Sequence, residues 1–155
     1  MSALTDIFEN KLIDFLFRAQ ALSIGGTSAA AGTGPATLYI ALKTAADSDS
    51  ASGAEVSGGS YARVAVTASL ANWAGTQGAG TTAVSSGSSG TTSNNGAIAF
   101  PAPTAAWGQV VGVGIYDAVT GGSELIYTAI TPKTINLGDP APSFAAGALT
   151  FQFDN

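Results

Sequence analysis

Apolar and polar positions alternate with a period of two along several short stretches of the chain, and with a helical period along one. The strongest alternation covers residues 110–131, VVGVGIYDAVTGGSELIYTAIT. Val111, Val113 and Ile115 fall on one face of a strand, and Val110, Gly112, Gly114 and Tyr116 on the other. Residues 117–122 form the turn, where two glycines accept φ > 0. The return run, 124–131, is rich in Leu, Ile, Tyr and Thr, as half-buried strands are. The pattern predicts a β-hairpin around which the other strands are laid.

Those strands are short. In residues 37–45, TLYIALKTA, Leu38, Ile40 and Leu42 point inward against Tyr39, Ala41 and Lys43. In residues 61–69, Val64 and Val66 oppose Tyr61, Arg63 and Thr67. Residues 97–101 read as a short strand after a tight turn at Asn94-Asn95-Gly96. Pro132 is expected to end the hairpin, with an edge piece at 134–137. Residues 148–154 close the chain with Leu149, Phe151 and Phe153 on one face. The Gly/Ser/Thr-rich run 75–92 is long for a structureless loop, so it reads as an exposed excursion or as strands with weak signals. Seven or eight short strands without intervening helices predict a mainly β fold. It is an antiparallel β-sandwich or jelly-roll-like domain with one N-terminal α-helix.

The helix is predicted over residues 3–20. Asp6 is placed to cap it, with Glu9 three residues on as in a capping box. Leu4, Ile7, Phe8, Leu12, Phe15 and Leu16 make one apolar stripe, while Ile13 and Phe17 fall on the far side. Asp14 and Arg18 stand at i,i+4 and can pair. A helix apolar on two sides either covers the β core or wedges against a second body. Residues 21–34 form a small-residue connector, flexible by composition. The organisation expected is an N-terminal helical arm, 1–24, and a single β-sandwich domain, 35–155. All eight apolar residues of the arm are candidates for a contact with another subunit or a second body.

Composition narrows the function. Of 155 residues 46% are hydrophobic and only 10% charged, against about a quarter in ordinary domains. A surface so poor in charge is explained by cover from other subunits, so a homo-oligomer is expected. The net charge is -5, and Lys11, Arg18, Lys43, Arg63 and Lys133 are scattered, which argues against direct nucleic-acid binding. No run is long enough to span a bilayer, so no membrane contact is expected. Asp6, Glu9, Lys11 and Asp14 interrupt the apolar residues near the start, unlike a secretory signal, so synthesis in a cytoplasm is expected.

With no His and no Cys, the usual catalytic triads and zinc sites are excluded. Asp47, Asp49 and Glu55 cluster in sequence, but their spacing fails the EF-hand pattern and suits a solvated loop. Asp117 and Glu124 flank the hairpin turn, where acidic residues are expected. Gly112 and Gly114 lack the third glycine of a dinucleotide fingerprint, and instead allow a ring or a strand to approach closely. Trp73 and Trp107 read as core anchors beside turns rather than as a sugar-stacking platform. No catalytic residue, cofactor or metal is expected.

The blocks TLYIALKTA (37–45), EVSGGSYARVAV (55–66), Trp73, NNGAIAFPAPTAAWG (94–108), VGIYDAVTGG (113–122) and PSFAAGALTF (142–151), after an opening like ENKLIDFLFR (9–18), carry a resemblance over nearly the whole chain. In these blocks and their order it resembles a group of short tailed-bacteriophage virion proteins, usually labelled tail-fibre-like. The resemblance implies a non-enzymatic virion component made in a bacterial host cytoplasm, with other virion proteins as partners. A small charge-poor β domain with an attachment segment suits a capsid decoration, or cement, protein bound to the major capsid protein. The alternative is a small tail-fibre, collar or baseplate component bound to neck or tail proteins. A carbohydrate-active enzyme is the reading from another class, disfavoured by the missing His, Cys and carboxylate pair.

Overall fold

The computed structural model describes residues 4–153; residue 3 of the expected helix and Asp154 of the expected last strand lie outside them. In chain order the elements are α1 (Asp6–Arg18), β1 (Leu22–Ile24), β2 (Thr27–Ala29), β3 (Thr37–Lys43), β4 (Val64–Thr67), β5 (Thr91–Ser93), β6 (Ile98–Ala99), β7 (Gly108–Tyr116), β8 (Glu124–Ile135), β9 (Ser143–Phe144) and β10 (Thr150–Gln152). The fold is mainly β with one helix near the N-terminus, and β1–β2, β3–β7, β7–β8 and β5–β10 all pair antiparallel, as the alternation predicts. The chain divides into two compact units and passes between them four times. A sheet unit takes residues 37–66 and 99–143; a helix unit takes the described residues up to 36, 67–98 and those from 144 onward.

In the sheet unit the strand order is β4-β3-β7-β8. Ile40 stands opposite Ile115, and Leu42 opposite Val113. Leu38, Ile40, Leu42, Val113 and Ile115 are all buried, as their alternation requires. Val64 and Val66 are only half-buried, because β4 is a four-residue edge strand. Three expectations change. The face assigned to solvent on β3 is covered at its end, with Ala41 and Lys43 fully buried. The hairpin does not stop at Pro132. Strand β8 runs on to Ile135, absorbing the expected edge piece, and the pairing with β7 shifts register between Val110 and Gly112. A proline has no N–H for the ladder, so an irregularity on an edge strand is where a sheet tolerates one. Beside the shift the simple alternation breaks, so Val110 is buried and Val111 half-buried.

In the helix unit α1 is capped one residue earlier than expected. Thr5 is the N-cap residue, with no side-chain capping bond, and Asp6 is the first helical residue. The inward row is Glu9, Ile13 and Phe17 with Asp14 and Arg18, so Ile13 and Phe17, expected on the far side, form the buried face. Phe17 meets Trp73 edge-on at 4.9 Å between ring centres and lies 5.7 Å from Phe151 and 6.3 Å from Phe153. Counting apolar residues cannot choose between two faces; this aromatic cluster does. The connector is likewise not a loose tether. It folds as the β1–β2 hairpin around Gly25-Gly26, both at positive φ as a two-residue primed turn demands.

Candidate functional site

Two buried cations organise the molecule, one in each unit. Arg18, at the end of α1, is fully buried. It reaches Asp14 at 2.6 Å, one helical turn back, as the i,i+4 spacing predicts. Its remaining donors bond the Trp73 carbonyl at 2.9 Å, the Ala83 carbonyl at 2.6 Å and the Ser85 hydroxyl at 3.1 Å. Asp14 in turn accepts from the Ser85 amide at 2.9 Å and the Ser85 hydroxyl at 2.6 Å. The Gly/Ser/Thr-rich run is exposed along most of its length, as an excursion would be, but it is anchored on α1. It wraps this ion pair, and Thr76 bonds Asn10 of the helix while Ser85 is buried. A loop with little apolar surface is ordered because a guanidinium supplies donors in a fixed fork to its carbonyls.

A few residues on, Asn94 of the expected tight turn proves to be an interior residue. Its amide group donates to the carbonyls of Gly96 at 2.7 Å and Ala145 at 2.8 Å, and its side-chain oxygen accepts from the Leu149 amide at 2.9 Å. These bonds fix the segments that flank β5 and β10.

In the sheet unit Lys43 is the buried cation. Its ammonium lies 2.9 Å from Asp47, 3.1 Å from Glu124, 2.7 Å from the Tyr116 hydroxyl and 2.8 Å from the Ser52 hydroxyl. Burial alone would lower its pKa, but the hydrogen bonds to Tyr116, Asp47 and Glu124 outweigh that and hold it above the ordinary value of 10.5. Gly112 and Gly114 make the arrangement possible. A Cβ at Gly114 would collide with the Glu124 carboxylate and crowd the Tyr116 ring, and one at Gly112 would crowd the Thr128 carbonyl of β8. The close approach expected of these glycines is real, and what approaches is a carboxylate as well as a ring.

Arg63 stacks on the other element of the cluster, its guanidinium carbon 3.6 Å from the centre of the Tyr116 ring. It pairs with Glu55 at 2.7 Å and donates to the carbonyls of Ala118 at 2.7 Å and Gly121 at 2.8 Å, which pins the β7–β8 turn. The bond to Glu55 raises the Arg63 pKa further. Tyr61 also donates to Glu55 at 2.8 Å, and burial first, with that carboxylate, pushes its pKa well above 10.0.

Each carboxylate weighed in the sequence therefore has a structural partner. Asp47 binds Lys43 and the Gly53 amide, Asp49 accepts from Tyr127 at 2.8 Å, and Glu55 holds Arg63. Asp117 accepts the Ser123 amide at 2.7 Å across the turn, and Glu124 binds Lys43. Among the described residues no group of three His, Cys, Asp or Glu converges as a metal cage. Trp73 and Trp107 are buried anchors, and Trp107 donates to the Gly59 carbonyl at 2.9 Å. No described helix is long and apolar enough to cross a membrane.

The eight arm residues separate into three groups. Ile13 and Phe17 are fully buried in the chain's own helix unit. Phe8, Leu12, Phe15 and Leu16 are half-buried. Leu4 and Ile7 are open to solvent, at 39% and 69% exposure. Ile7 and the exposed Val84 line an open groove of about 620 Å³ between α1 and the loop, together with Asn10 and Lys11. Sequence reasoning missed the Lys43 cluster and the roles of Arg63 and Asn94. The i,i+4 spacing of Lys43 and Asp47 was the one local signal, since the other partners come from distant segments.

No curated protein matches the chain. Residues 3–152 match the family model described as podophage GP4 fiber I protein gp80, so the chain belongs to this family of fibre proteins from short-tailed phage virions.

Proposed function

We propose that the protein is a non-enzymatic structural subunit of a virion fibre, held to neighbouring virion proteins through the outer surface of α1. The observation that carries this reading is the family match over residues 3–152, whose description names a fibre. The geometry supports it. The carboxylates that could have run a hydrolysis are tied to cations, amides or a tyrosine hydroxyl, and two of the five cations are withdrawn into the interior. What remains outside is a charge-poor surface with Leu4 and Ile7 exposed on the arm, flanked by the half-buried Phe8, Leu12, Phe15 and Leu16. Burying one large apolar side chain contributes about 1.5–3 kcal/mol, so a few together can hold a subunit in place.

Cryo-electron microscopy of the virion tests the reading. Density for the chain should lie at a fibre, and an Ile7→Glu variant, with unchanged circular dichroism, should be lost from particles. Density spread over the head, in copy numbers near those of the major capsid protein, would make the chain a capsid decoration protein instead.

A further inference from the structure

Strand β8 is twelve residues long and stands at the end of its sheet, with β7 on one side only among the described residues. The opposite edge, β4, has four residues. A short edge strand is protected by its length; a long one is normally guarded by charge, proline or a bulge. On β8 the guards sit at its two ends. Glu124 and one register shift open it, and Pro132, Lys133 and a second shift, between Ala129 and Lys133, guard its far end. Between them residues 125–131, LIYTAIT, carry neither charge nor proline, and Leu125 and Tyr127 are 38% and 39% exposed. Seven such residues on an open edge offer a row of unpaired backbone donors and acceptors to another strand.

We infer that this edge pairs with β8 of a second copy of the chain, antiparallel about a two-fold axis through Thr128. The sequence is complementary to itself in that register. Thr128 meets its own counterpart, Tyr127 meets Ala129, Ile126 meets Ile130, and Leu125 meets Thr131. Each pair joins residues of the same face, in step with the exposed and half-buried alternation along the strand. A large ring faces a methyl, and the two isoleucines face one another, as cross-strand pairing favours. Glu124 comes opposite Pro132 and next to Lys133, so no charge is set against a like charge. Such an isologous contact closes on itself, leaving only the short β4 strands as edges.

The chain has no cysteine, which makes the test clean. Thr128→Cys places two thiols at the axis, where strand pairing brings Cα atoms to about 4.5–5.5 Å, within disulfide range. The purified full-length variant should form a covalent dimer on mild oxidation. Val119→Cys, on the exposed β7–β8 turn, should not. Unmodified protein should be a dimer by light scattering at micromolar concentration, and Ala129→Lys should weaken it at least tenfold with the β-type circular dichroism retained. A monomeric unmodified chain, a trimer in which Thr128→Cys fails to cross-link, or equal cross-linking at Val119 overturns the inference. All these readouts come from purified protein, so they leave the fibre assignment untouched.

Discussion

The two units are built on different physical principles. The sheet unit is made of long ladders whose apolar residues alternate, so Leu38, Ile40, Leu42, Val113 and Ile115 interlock with few polar demands. Its polar cluster sits to one side, around Lys43. The helix unit has little regular sheet: β1–β2 and β5–β10 are pairs of three-residue strands. Its order rests on one aromatic cluster and on polar side chains that satisfy backbone groups far away in sequence, such as Arg18 with Trp73 and Ala83, and Asn94 with Ala145 and Leu149. One unit is held by a repeated pattern and the other by a few irreplaceable residues.

The largest expected effect breaks the second kind of order. Arg18→Met keeps the volume but leaves Asp14 buried without its cation and frees the loop carbonyls. Losing one partner of a buried pair costs about 3–5 kcal/mol. Hydrogen exchange should rise across residues 75–90 and Trp73 emission should shift red, while Trp107 of the sheet unit holds. An equal response from both tryptophans would erase the contrast. The next effect tests the first kind of order. Ile115→Ala, at the centre of the sheet, should cost about 2–4 kcal/mol through a cavity, read as a lower midpoint in urea. An unchanged midpoint would show that this interlocking is not what holds the sheet.

The smallest effect is in pH. Lys43 and Tyr61 both have pKa values raised by the fold, so their protonated forms are the ones it favours. The stability they add is complete below their unfolded values, near pH 10, and is lost as pH rises through the folded ones. Between pH 9 and 11 Tm should fall by a few degrees, about 1 kcal/mol's worth for a chain this size. The emission of Trp107, 5.3 Å from Tyr61, should move before that of Trp73. The reverse order would place the alkaline weakness in the helix unit.

The same contrast explains what was legible in the sequence. The β7–β8 hairpin and the inward faces of β3 and β10 were readable because alternation is a local signal. Register shifts at Val110 and beside Tyr116 were not, since they depend on the partner strand. In the helix unit the existence of α1 and the Asp14–Arg18 pair were readable, both being local. Its buried face was not, because the choice of Ile13 and Phe17 is made by Trp73 and Phe151, which lie far along the chain. The 75–90 loop looked like an excursion for the same reason: the donors that order it come from α1. Composition sees glycine and serine there, and cannot see the guanidinium they surround.

The path of the chain through the helix unit has a consequence for its biosynthesis. Phe151, one of the rings that Phe17 packs on, is made roughly 130 residues after it. At about 5–20 residues per second the helix waits on the order of ten seconds before its inner face is fully covered. During that interval α1 is a short isolated segment, marginal as a helix in water. Translational pausing before residue 151 would lengthen the exposure, and loss of residues 149–153 would undo the packing of α1 while sparing the sheet unit.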